Sequence, residues 1–254
     1  MTSCHDLLSL CRRVYRRALR TLLPLLFPRH CPVCDRLLPY GNTICPACRR
    51  ILPLVKEPVC LCCGKPVSRQ DQKYCYDCRI FPKSFDGGCA LYLYNHITAP
   101  GMMGLKYHNR RLLADFYSRE MVRHRKTFFS RWKADAVVPV PVHPHKRKKR
   151  GYNQAELLSA EIASLLNIPH YPNLLLRVVD TLPQKQFSPQ ARLNNLKKAF
   201  RINPAVDSAG IRSVILVDDI YTTGATMEAC SRILHQAGIA SVYVCSVCIG
   251  VSRD

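Results

Sequence analysis

The fold is decided by a stretch near the carboxyl end of the sequence, Val-Ile-Leu-Val-Asp-Asp-Ile-Tyr-Thr-Thr-Gly-Ala-Thr at residues 214–226. Its four leading apolar residues predict a strand that is buried on both faces of a parallel sheet. Asp218 and Asp219 follow at the carboxyl end of this strand, where open α/β sheets bind ligands. A helix is predicted to begin in the next loop, which therefore offers backbone N–H groups and hydroxyls to a phosphate. The loop residues are Thr222, Thr223, Gly224, Ala225 and Thr226.

The neighbouring acids narrow the choice of ligand. Two carboxylates beside a phosphate site suit a ligand that also carries hydroxyls or a metal ion, and a ribose 5-phosphate with cis hydroxyls meets both demands. The alternative is a plain strand-to-helix turn in which the threonines only cap the helix. A P-loop is excluded, because the sequence contains no G-x-x-x-x-G-K-[ST] motif.

This segment resembles the 5-phosphoribosyl-1-pyrophosphate (PRPP) signature of type I phosphoribosyltransferases. The resemblance implies that Asp218 and Asp219 are the catalytic acid pair and hold the 2- and 3-hydroxyls of the ribose. It implies that the loop of residues 222–226 holds the 5-phosphate. It also implies that Mg2+ binds together with PRPP.

A basic run lies in the loop between two further predicted elements. Lys146–Arg150 are five consecutive positive charges between a predicted strand at 136–142 and a predicted helix at 153–166. In type I phosphoribosyltransferases the loop after the corresponding strand wraps the pyrophosphate of PRPP, so the resemblance assigns Arg147 and Arg150 to that group. Contact with a nucleic-acid backbone and a solvated charge run are the alternatives.

The fifteen cysteines point to bound metal rather than to disulfides, since we expect no secretory signal at the amino terminus. Eight of them form four C-x-x-C pairs, which are spaced as in two tetrahedral zinc ribbons of the structural type. The predicted ligands are Cys31, Cys34, Cys45, Cys48, Cys60, Cys63, Cys75 and Cys78. The pairs can combine sequentially or interleave, and Cys62 is an alternative to Cys63. Thiol–disulfide exchange would need one such motif at a helix start rather than four in series.

The net charge of +21 predicts an anionic partner: a nucleic acid, an anionic membrane surface or a phosphorylated substrate. Residues 5–23 alternate apolar and basic residues at helical spacing, which predicts an amphipathic helix that docks on protein or lies on a bilayer. No run approaches the roughly 18 apolar residues of a membrane-spanning helix. We therefore expect a cytoplasmic protein, with peripheral contact at the inner face of the membrane as one alternative.

The sequence pattern divides the chain into a basic amphipathic helix at 1–29, a double zinc ribbon at 30–82 and an α/β domain at 85–254. In the α/β domain, predicted strands alternate with predicted helices, which indicates a twisted, mainly parallel sheet with helices on both faces. This is the type I phosphoribosyltransferase-like class that the PRPP resemblance implies. The predicted strands are 90–94, 136–142, 214–217 and 241–249, and the predicted helices are 105–122, 153–166 and 227–236.

The combination of motifs resembles the ComF family. It consists of the double ribbon, Leu105–Tyr107, Arg150–Gln154, Arg192–Phe200 and the PRPP signature. The resemblance implies a role in DNA uptake during natural transformation, with PRPP and single-stranded DNA as ligands. It also implies a DNA-uptake helicase or a recombination mediator as protein partner. The polar segment 184–200 corresponds to a mobile loop of type I enzymes, and its candidate contacts are Gln184, Arg192 and Asn195.

Three functions stay open on the sequence alone. An active phosphoribosyltransferase would transfer ribose 5-phosphate from PRPP to a nitrogen acceptor, yet no residues that would hold an acceptor base are recognisable. An accessory factor would handle DNA and keep a PRPP pocket, and a PRPP sensor would bind without turnover. The basic excess and the zinc ribbons favour the accessory factor.

Overall fold

The computed structural model describes residues 29–39, 41–179 and 198–251. The chain forms two compact units, Met1–Ile51 and Leu52–Asp254. The predicted amphipathic helix at 5–23 lies outside the described residues, as do Gln184, Arg192 and Asn195. These parts of the sequence analysis therefore stay predictions.

The smaller unit is a short cysteine-rich module. Each C-x-x-C pair with its adjoining turn forms a knuckle, and the first knuckle contains Cys31 and Cys34. Its chain turns at Asp35, which has a left-handed φ of 60°, and a 2.9 Å hydrogen bond from the Cys31 N–H to the Arg36 carbonyl closes the turn. A helix, α1 (Pro46–Ile51), begins at the second knuckle. Among the described residues of this unit the buried ones are Cys31, Pro32, Ile44 and Cys48. These side chains are too few for a core, so we expect metal to supply much of the folding energy.

The larger unit is built on a four-stranded parallel sheet. Its strands are β1 (Gly87–Leu93), β2 (Ala136–Pro139), β5 (Ser213–Tyr221) and β6 (Ser241–Ile249). Their order across the sheet is β1-β6-β5-β2, so β5 lies in the interior. A separate antiparallel pair consists of β3 (Leu175–Arg177) and β4 (Phe200–Ile202).

Strand β5 confirms the buried strand that the sequence predicts at residues 214–217. All four of these side chains are at most 1% exposed, which requires cover on both faces of the sheet. The strand continues past the predicted end as far as Tyr221. Its neighbour β2 stops earlier, because Pro139 pairs with Val217 and is the last residue of β2. Asp218 and Asp219 therefore lie beyond the end of β2, at an open edge of the sheet.

The helices of the larger unit are α2 (Tyr76–Ile80), α3 (Ala99–Tyr107), α4 (Leu113–His124), α5 (Lys126–Trp132), α6 (Pro144–Arg150), α7 (Gln154–Leu166) and α8 (Ala225–Gln236). Helices α4 and α7 pack on each other, α7 packs on β2 and β5, and α8 packs on β4, β5 and β6. The start of α7 is capped, since the Asn153 side chain accepts a 3.1 Å hydrogen bond from the Ala155 N–H. Within the described residues, every helix is too short or too polar to cross a bilayer.

The single helix predicted at 105–122 is wrong. The structure has two helices there, because α3 ends at Tyr107 and α4 begins at Leu113. Asn109 between them has a left-handed φ of 53°, a conformation that asparagine tolerates better than most residues. The N–H groups of His108 and Arg110 both donate to the Gly104 carbonyl, at 3.2 and 3.3 Å, which closes the end of α3. The apolar spacing continued through this break and so concealed it.

The basic run is a helix rather than the predicted loop. Helix α6 has a proline in its first turn, and the His143 side chain accepts a hydrogen bond from the His145 N–H at 3.3 Å. It ends at Gly151, whose φ of 79° is the left-handed conformation common after a helix. None of its side chains is buried. The helix therefore presents the positive charges from a fixed backbone.

The second cysteine-rich segment, residues 52–86, packs directly on the sheet and belongs to the same compact unit. Its knuckle meets β1 backbone to backbone: a Cβ added at Gly64 would lie 2.8 Å from the Cys89 Cα, and one at Gly88 would lie 2.9 Å from the Cys62 carbonyl oxygen. Only glycine allows this contact. Arg125 adds a polar tie, since its buried guanidinium donates to the carbonyls of Val55 at 2.6 Å and Ala90 at 2.7 Å.

Candidate functional site

The acid pair lies at the open edge of the sheet with a lysine beside it. Asp219 is 6% exposed, and its Oδ2 lies 3.0 Å from the Nζ of Lys106, in the last turn of α3. The neighbouring Asp218 is half-buried, and its Oδ1 accepts a 2.8 Å hydrogen bond from the Asp219 N–H. The structure thus places two carboxylates and one ammonium group together where β2 has already ended.

Burial and mutual repulsion set the electrostatics of this cluster. Burial, reinforced by the negative charge of Asp219, raises the pKa of Asp218 from 3.8 to about 7, while Lys106 opposes the change. Burial acts to lower the pKa of Lys106, but the carboxylates of Asp219 and Asp218 outweigh it and raise that pKa above its ordinary value. Lys106 therefore stays charged, and Asp218 titrates near neutral pH. A ligand that brings hydroxyl donors or a cation would favour the ionised pair.

The loop after β5 leads into α8 without a side-chain cap. The N-cap residue is Gly224, which has a left-handed φ of 75° and no side chain that could accept from the first turn. The alternative in which a threonine caps the helix from this position is therefore wrong. The first-turn amides of α8 remain available to an anion, and the helix dipole favours negative charge there. The predicted loop residues Thr222, Thr223, Ala225 and Thr226 surround this helix start.

The two candidate pyrophosphate arginines have different partners. Arg150 sits over the Tyr107 ring, 5.0 Å from its centroid, and donates to the Gln154 Oε1 at 2.9 Å. Its positive charge acts to lower the pKa of Lys106, so the two cations share one neighbourhood. Arg147 instead pairs with Glu156 on α7, at 3.0 Å between Nη1 and Oε2.

Lys106 is the residue of this site that the sequence analysis did not assign. It appears there only within the Leu105–Tyr107 motif, without a role. Its partner Asp219 is more than a hundred positions away, and no local pattern links the two. A usable signal was the charge itself, because a lysine that follows the apolar Leu105 in a predicted helix needs a counter-ion if it is drawn towards the core.

The cysteine pairs combine sequentially into two tetrads. Within each tetrad all four sulfur atoms lie within 4.8 Å of one another. The measured Sγ–Sγ distances are 3.8 Å for Cys31–Cys45 and 3.6 Å for Cys63–Cys75. A Zn–S bond of about 2.3 Å in a tetrahedron requires an edge of about 3.8 Å, so four thiolates at these separations fit zinc. The tetrads are Cys31, Cys34, Cys45 and Cys48, and Cys60, Cys63, Cys75 and Cys78.

These tetrads suit structural rather than catalytic metal. Four protein ligands close the coordination sphere and leave no position for water. Cys62, the alternative ligand, lies outside the second tetrad, where Cys63 occupies the ligand position. Cys245 and Cys248, a further C-x-x-C pair, belong to β6 and are buried in the sheet.

A parallel sheet with an acid pair at a strand end, an uncapped helix start beside it and two cysteine tetrads defines a type I phosphoribosyltransferase-like protein with zinc ribbons. The family model "Double zinc ribbon domain" matches residues 22–79. Competence protein F of Haemophilus influenzae is 38% identical over 110 residues, which cover 43% of this chain and 48% of that protein. DNA utilization protein YhgH of Escherichia coli K12 is 28% identical over 86% of this chain and 89% of that protein. The chain is thus similar to competence and DNA utilization proteins, and it carries a double zinc ribbon.

More distant similarities extend to another competence protein and to a solved phosphoribosyltransferase. Competence protein ComFC of Bacillus subtilis is 27% identical over 81% of this chain and 83% of that protein. Adenine phosphoribosyltransferase from Saccharomyces cerevisiae is 20% identical, with a TM-score of 0.34 over 57% of this chain and 72% of that chain. The match to competence protein F spans about half of that relative, whereas the YhgH and ComFC matches span most of theirs.

Proposed function

We propose that this chain is a ComF-type protein that binds PRPP with Mg2+ and acts in DNA uptake during natural transformation, in contact with single-stranded DNA. The observation that carries the PRPP part is the meeting of the acid pair, Lys106 and the uncapped helix start at Gly224 on one edge of the sheet. The names of the relatives, competence protein F and DNA utilization protein, support the biological role.

Each group of the proposed ligand has a chemical counterpart at this edge. The carboxylates of Asp218 and Asp219 would accept hydrogen bonds from the two ribose hydroxyls. The amides and hydroxyls of residues 222–226 would bind the 5-phosphate. Arg150 would bind pyrophosphate from its place beside Tyr107, and Arg147 could join only after leaving Glu156.

The carboxylates also offer the hard oxygen ligands that Mg2+ prefers. When bound, Mg2+ supplies positive charge that offsets the charge of pyrophosphate. Lys106 supplies a fixed positive charge at the same place, 3.0 Å from the Asp219 carboxylate.

For DNA, we propose the basic surface formed by α6 and the residues around Tyr107. Lys148 and Lys149 are exposed on α6, and Tyr107 is 56% exposed with the Arg150 guanidinium over its ring. Positive charge follows a phosphate backbone, and an exposed aromatic ring offers a face on which a base can stack. A DNA-uptake helicase or a recombination mediator would then meet the protein on the same strand.

Turnover at the PRPP site is a second candidate, and the pKa of Asp218 favours it. A carboxyl group with a pKa of about 7 can accept a proton from a nitrogen nucleophile at neutral pH. The C1–O bond to pyrophosphate would break, the C1–N bond would form, and the proton of the nitrogen would pass to Asp218. Release of pyrophosphate from PRPP only in the presence of an amine or base acceptor would support this candidate.

The test combines two binding measurements on the full chain. Isothermal calorimetry with PRPP and Mg2+ should give one site, and the Asp218→Asn, Asp219→Asn double variant should lose it. Ribose 5-phosphate is the matched ligand that lacks pyrophosphate, and it should bind more weakly. Fluorescence anisotropy with a labelled oligonucleotide across a salt series should show single-strand binding that the double variant keeps. A wild-type protein that does not bind PRPP would contradict the proposal.

A further inference from the structure

The ring of Tyr221 lies between the phosphate loop and the second cysteine-rich segment. Tyr221 ends β5, is 3% exposed, and its hydroxyl has no hydrogen-bond partner among the described residues. On one side this hydroxyl lies so close over Gly224 that a Cβ there would overlap it. On the other side the ring meets Phe85 edge-on, 6.5 Å between centroids, and the ammonium group of Lys65 lies 5.9 Å from its centroid.

Lys65 and Phe85 are parts of the framework of the second tetrad. Lys65 follows the Cys60–Cys63 knuckle and pairs with Asp77, which lies in the other knuckle, at 2.5 Å. Its side chain is buried, so the ammonium group is held in one place. The four cysteines, Phe85 and Tyr221 all belong to one buried cluster. The position of the Tyr221 ring therefore depends on the two knuckles, which a metal would hold together.

A second connection runs through helix α8 itself. Glu228, one turn into α8 and 1% exposed, accepts hydrogen bonds from the Ser84 N–H at 2.7 Å and the Ser84 hydroxyl at 3.1 Å. His235, on the last turn of the helix, places its Nε2 3.0 Å from the Ser84 carbonyl oxygen. Ser84 lies between the last cysteine knuckle and β1. The helix that begins at the phosphate loop is thus fastened to the end of the cysteine-rich segment.

We propose that metal binding at Cys60, Cys63, Cys75 and Cys78 is energetically coupled to anion binding at the start of α8, with Tyr221 and Glu228 as positioning residues. Without the metal, the knuckles separate and Lys65 and Phe85 no longer support the ring. The loop at Gly224 then loses the surface against which it is packed. Because coupling is reciprocal, the anion must also raise the affinity for the metal, and we expect the tighter binding to appear as slower loss of the metal. The first tetrad, which belongs to the smaller unit, is the internal control.

The predicted effect of the anion on metal binding rests on the proposed PRPP site. The predicted effect of the metal on the loop at residues 222–228 does not. Hydrogen exchange of the amides of residues 222–228 should accelerate when zinc is removed, with no ligand present. Cys78→Ser, which breaks the second tetrad, should give the same acceleration, and Cys34→Ser, which breaks the first, should not. Unchanged exchange at residues 222–228 after loss of the second zinc would overturn the coupling, whatever PRPP does.

The reciprocal arm measures zinc release to a chromogenic chelator that is selective for Zn2+ over Mg2+. In the Cys34→Ser variant the first tetrad is broken, so the released zinc comes from the second tetrad. Saturating PRPP with Mg2+ should slow this release about 5-fold or more. In the Cys78→Ser background only the first tetrad reports, and PRPP should have no effect. If PRPP slows zinc release from both tetrads equally, the inference is overturned. It is also overturned if calorimetry shows PRPP binding and zinc release is slowed at neither tetrad. Absence of PRPP binding would refute the proposed function and leave the exchange experiment to decide the coupling.

Two substitutions locate the coupling in the named residues. Tyr221→Phe keeps the ring and should keep the slowing, whereas Tyr221→Ala should reduce it to less than about 2-fold, below the roughly 5-fold lower end of typical coupling. If Tyr221→Ala does not fold, Glu228→Gln serves instead, because a neutral amide weakens both bonds from Ser84. If PRPP slows zinc release from Tyr221→Ala or Glu228→Gln as much as from the wild-type protein, the named residues do not carry the coupling.

Discussion

Replacing Asp218 by asparagine is expected to stabilise the protein above neutral pH while it removes the proposed PRPP binding. Burial and the neighbouring Asp219 raise the pKa of Asp218 from 3.8 to about 7. The folded protein therefore holds this proton more tightly than the unfolded chain does. For a group of this kind, stability is lost as the pH rises from the unfolded pKa to the folded pKa.

The magnitude follows from the two pKa values. Their difference is equivalent to about 4 kcal/mol at pH 8 and to less than about 2 kcal/mol at pH 5, where the folded carboxyl is still protonated. Asparagine avoids this cost, and its Oδ1 can still accept the bond from the Asp219 N–H. For a unit of this size the gain at pH 8 corresponds to a rise in Tm of about 8–16 °C.

The assay is urea unfolding of the zinc-loaded protein and of Asp218→Asn at pH 5 and pH 8. Asp71→Asn is the matched control, because Asp71 is an exposed acid paired with Arg69 on the surface. It should change stability by no more than about 0.5 kcal/mol at either pH. A loss of stability in Asp218→Asn at pH 8, or an equal gain at both pH values, would refute the reasoning.

Three further predictions concern the same edge of the sheet. Lys106→Met should lower the free energy of unfolding by roughly 3 kcal/mol at pH 8, since it leaves the buried Asp219 carboxylate without its cation, and Lys106→Arg should restore most of the stability. Gly224→Ala should cost more stability than Gly210→Ala, because both glycines have positive φ but only the Gly224 Cβ would overlap a neighbour. The excess should be about 1–3 kcal/mol by thermal unfolding, with loss of PRPP binding. Lys148→Ala with Lys149→Ala should reduce the salt slope of single-stranded DNA binding by about 0.7 for each phosphate that the two lysines neutralise, and leave PRPP affinity unchanged.

Each of these three predictions would be contradicted by a specific result. A Lys106→Met protein as stable as wild type at pH 8 would mean that Asp219 does not depend on the lysine. Equal costs at Gly224 and Gly210 would mean that the Tyr221 contact adds nothing to the cost of the backbone conformation. A salt slope that is unchanged in the lysine variant would remove α6 from the DNA surface.

The sheet could be predicted because its signals are local. The buried run of β5 and the β6 strand at Ser241–Ile249 each depend on a few consecutive residues. The break between α3 and α4 could not, since the apolar spacing continues through it and only Asn109, in a left-handed conformation, marks the turn. The helix at Pro144–Arg150 was concealed for a different reason, because a run of like charges carries no periodicity.

The candidate site divides in the same way. The acid pair and its loop are contiguous, so one motif predicts them together. Lys106 reaches them only through the packing of α3 beside the sheet, which no spacing in the sequence encodes. Arg147 and Arg150 were equivalent in the sequence, and the structure separates them because Glu156 pairs with Arg147 whereas Arg150 lies over Tyr107.

The glycine contact between the Cys60–Cys63 knuckle and β1 affects how relatives of this protein can be recombined. Consider a chimera that takes the residues before position 85 from a relative and the rest from this chain. It would replace the cysteine knuckle that Gly88 contacts, and it would replace Val55, whose carbonyl accepts a hydrogen bond from Arg125. A chimera joined at residue 51 cuts between the two compact units and crosses neither contact. Chimeras joined at residue 85 should therefore fold only when both parents have glycine at positions 64 and 88, a condition that a junction at residue 51 does not impose.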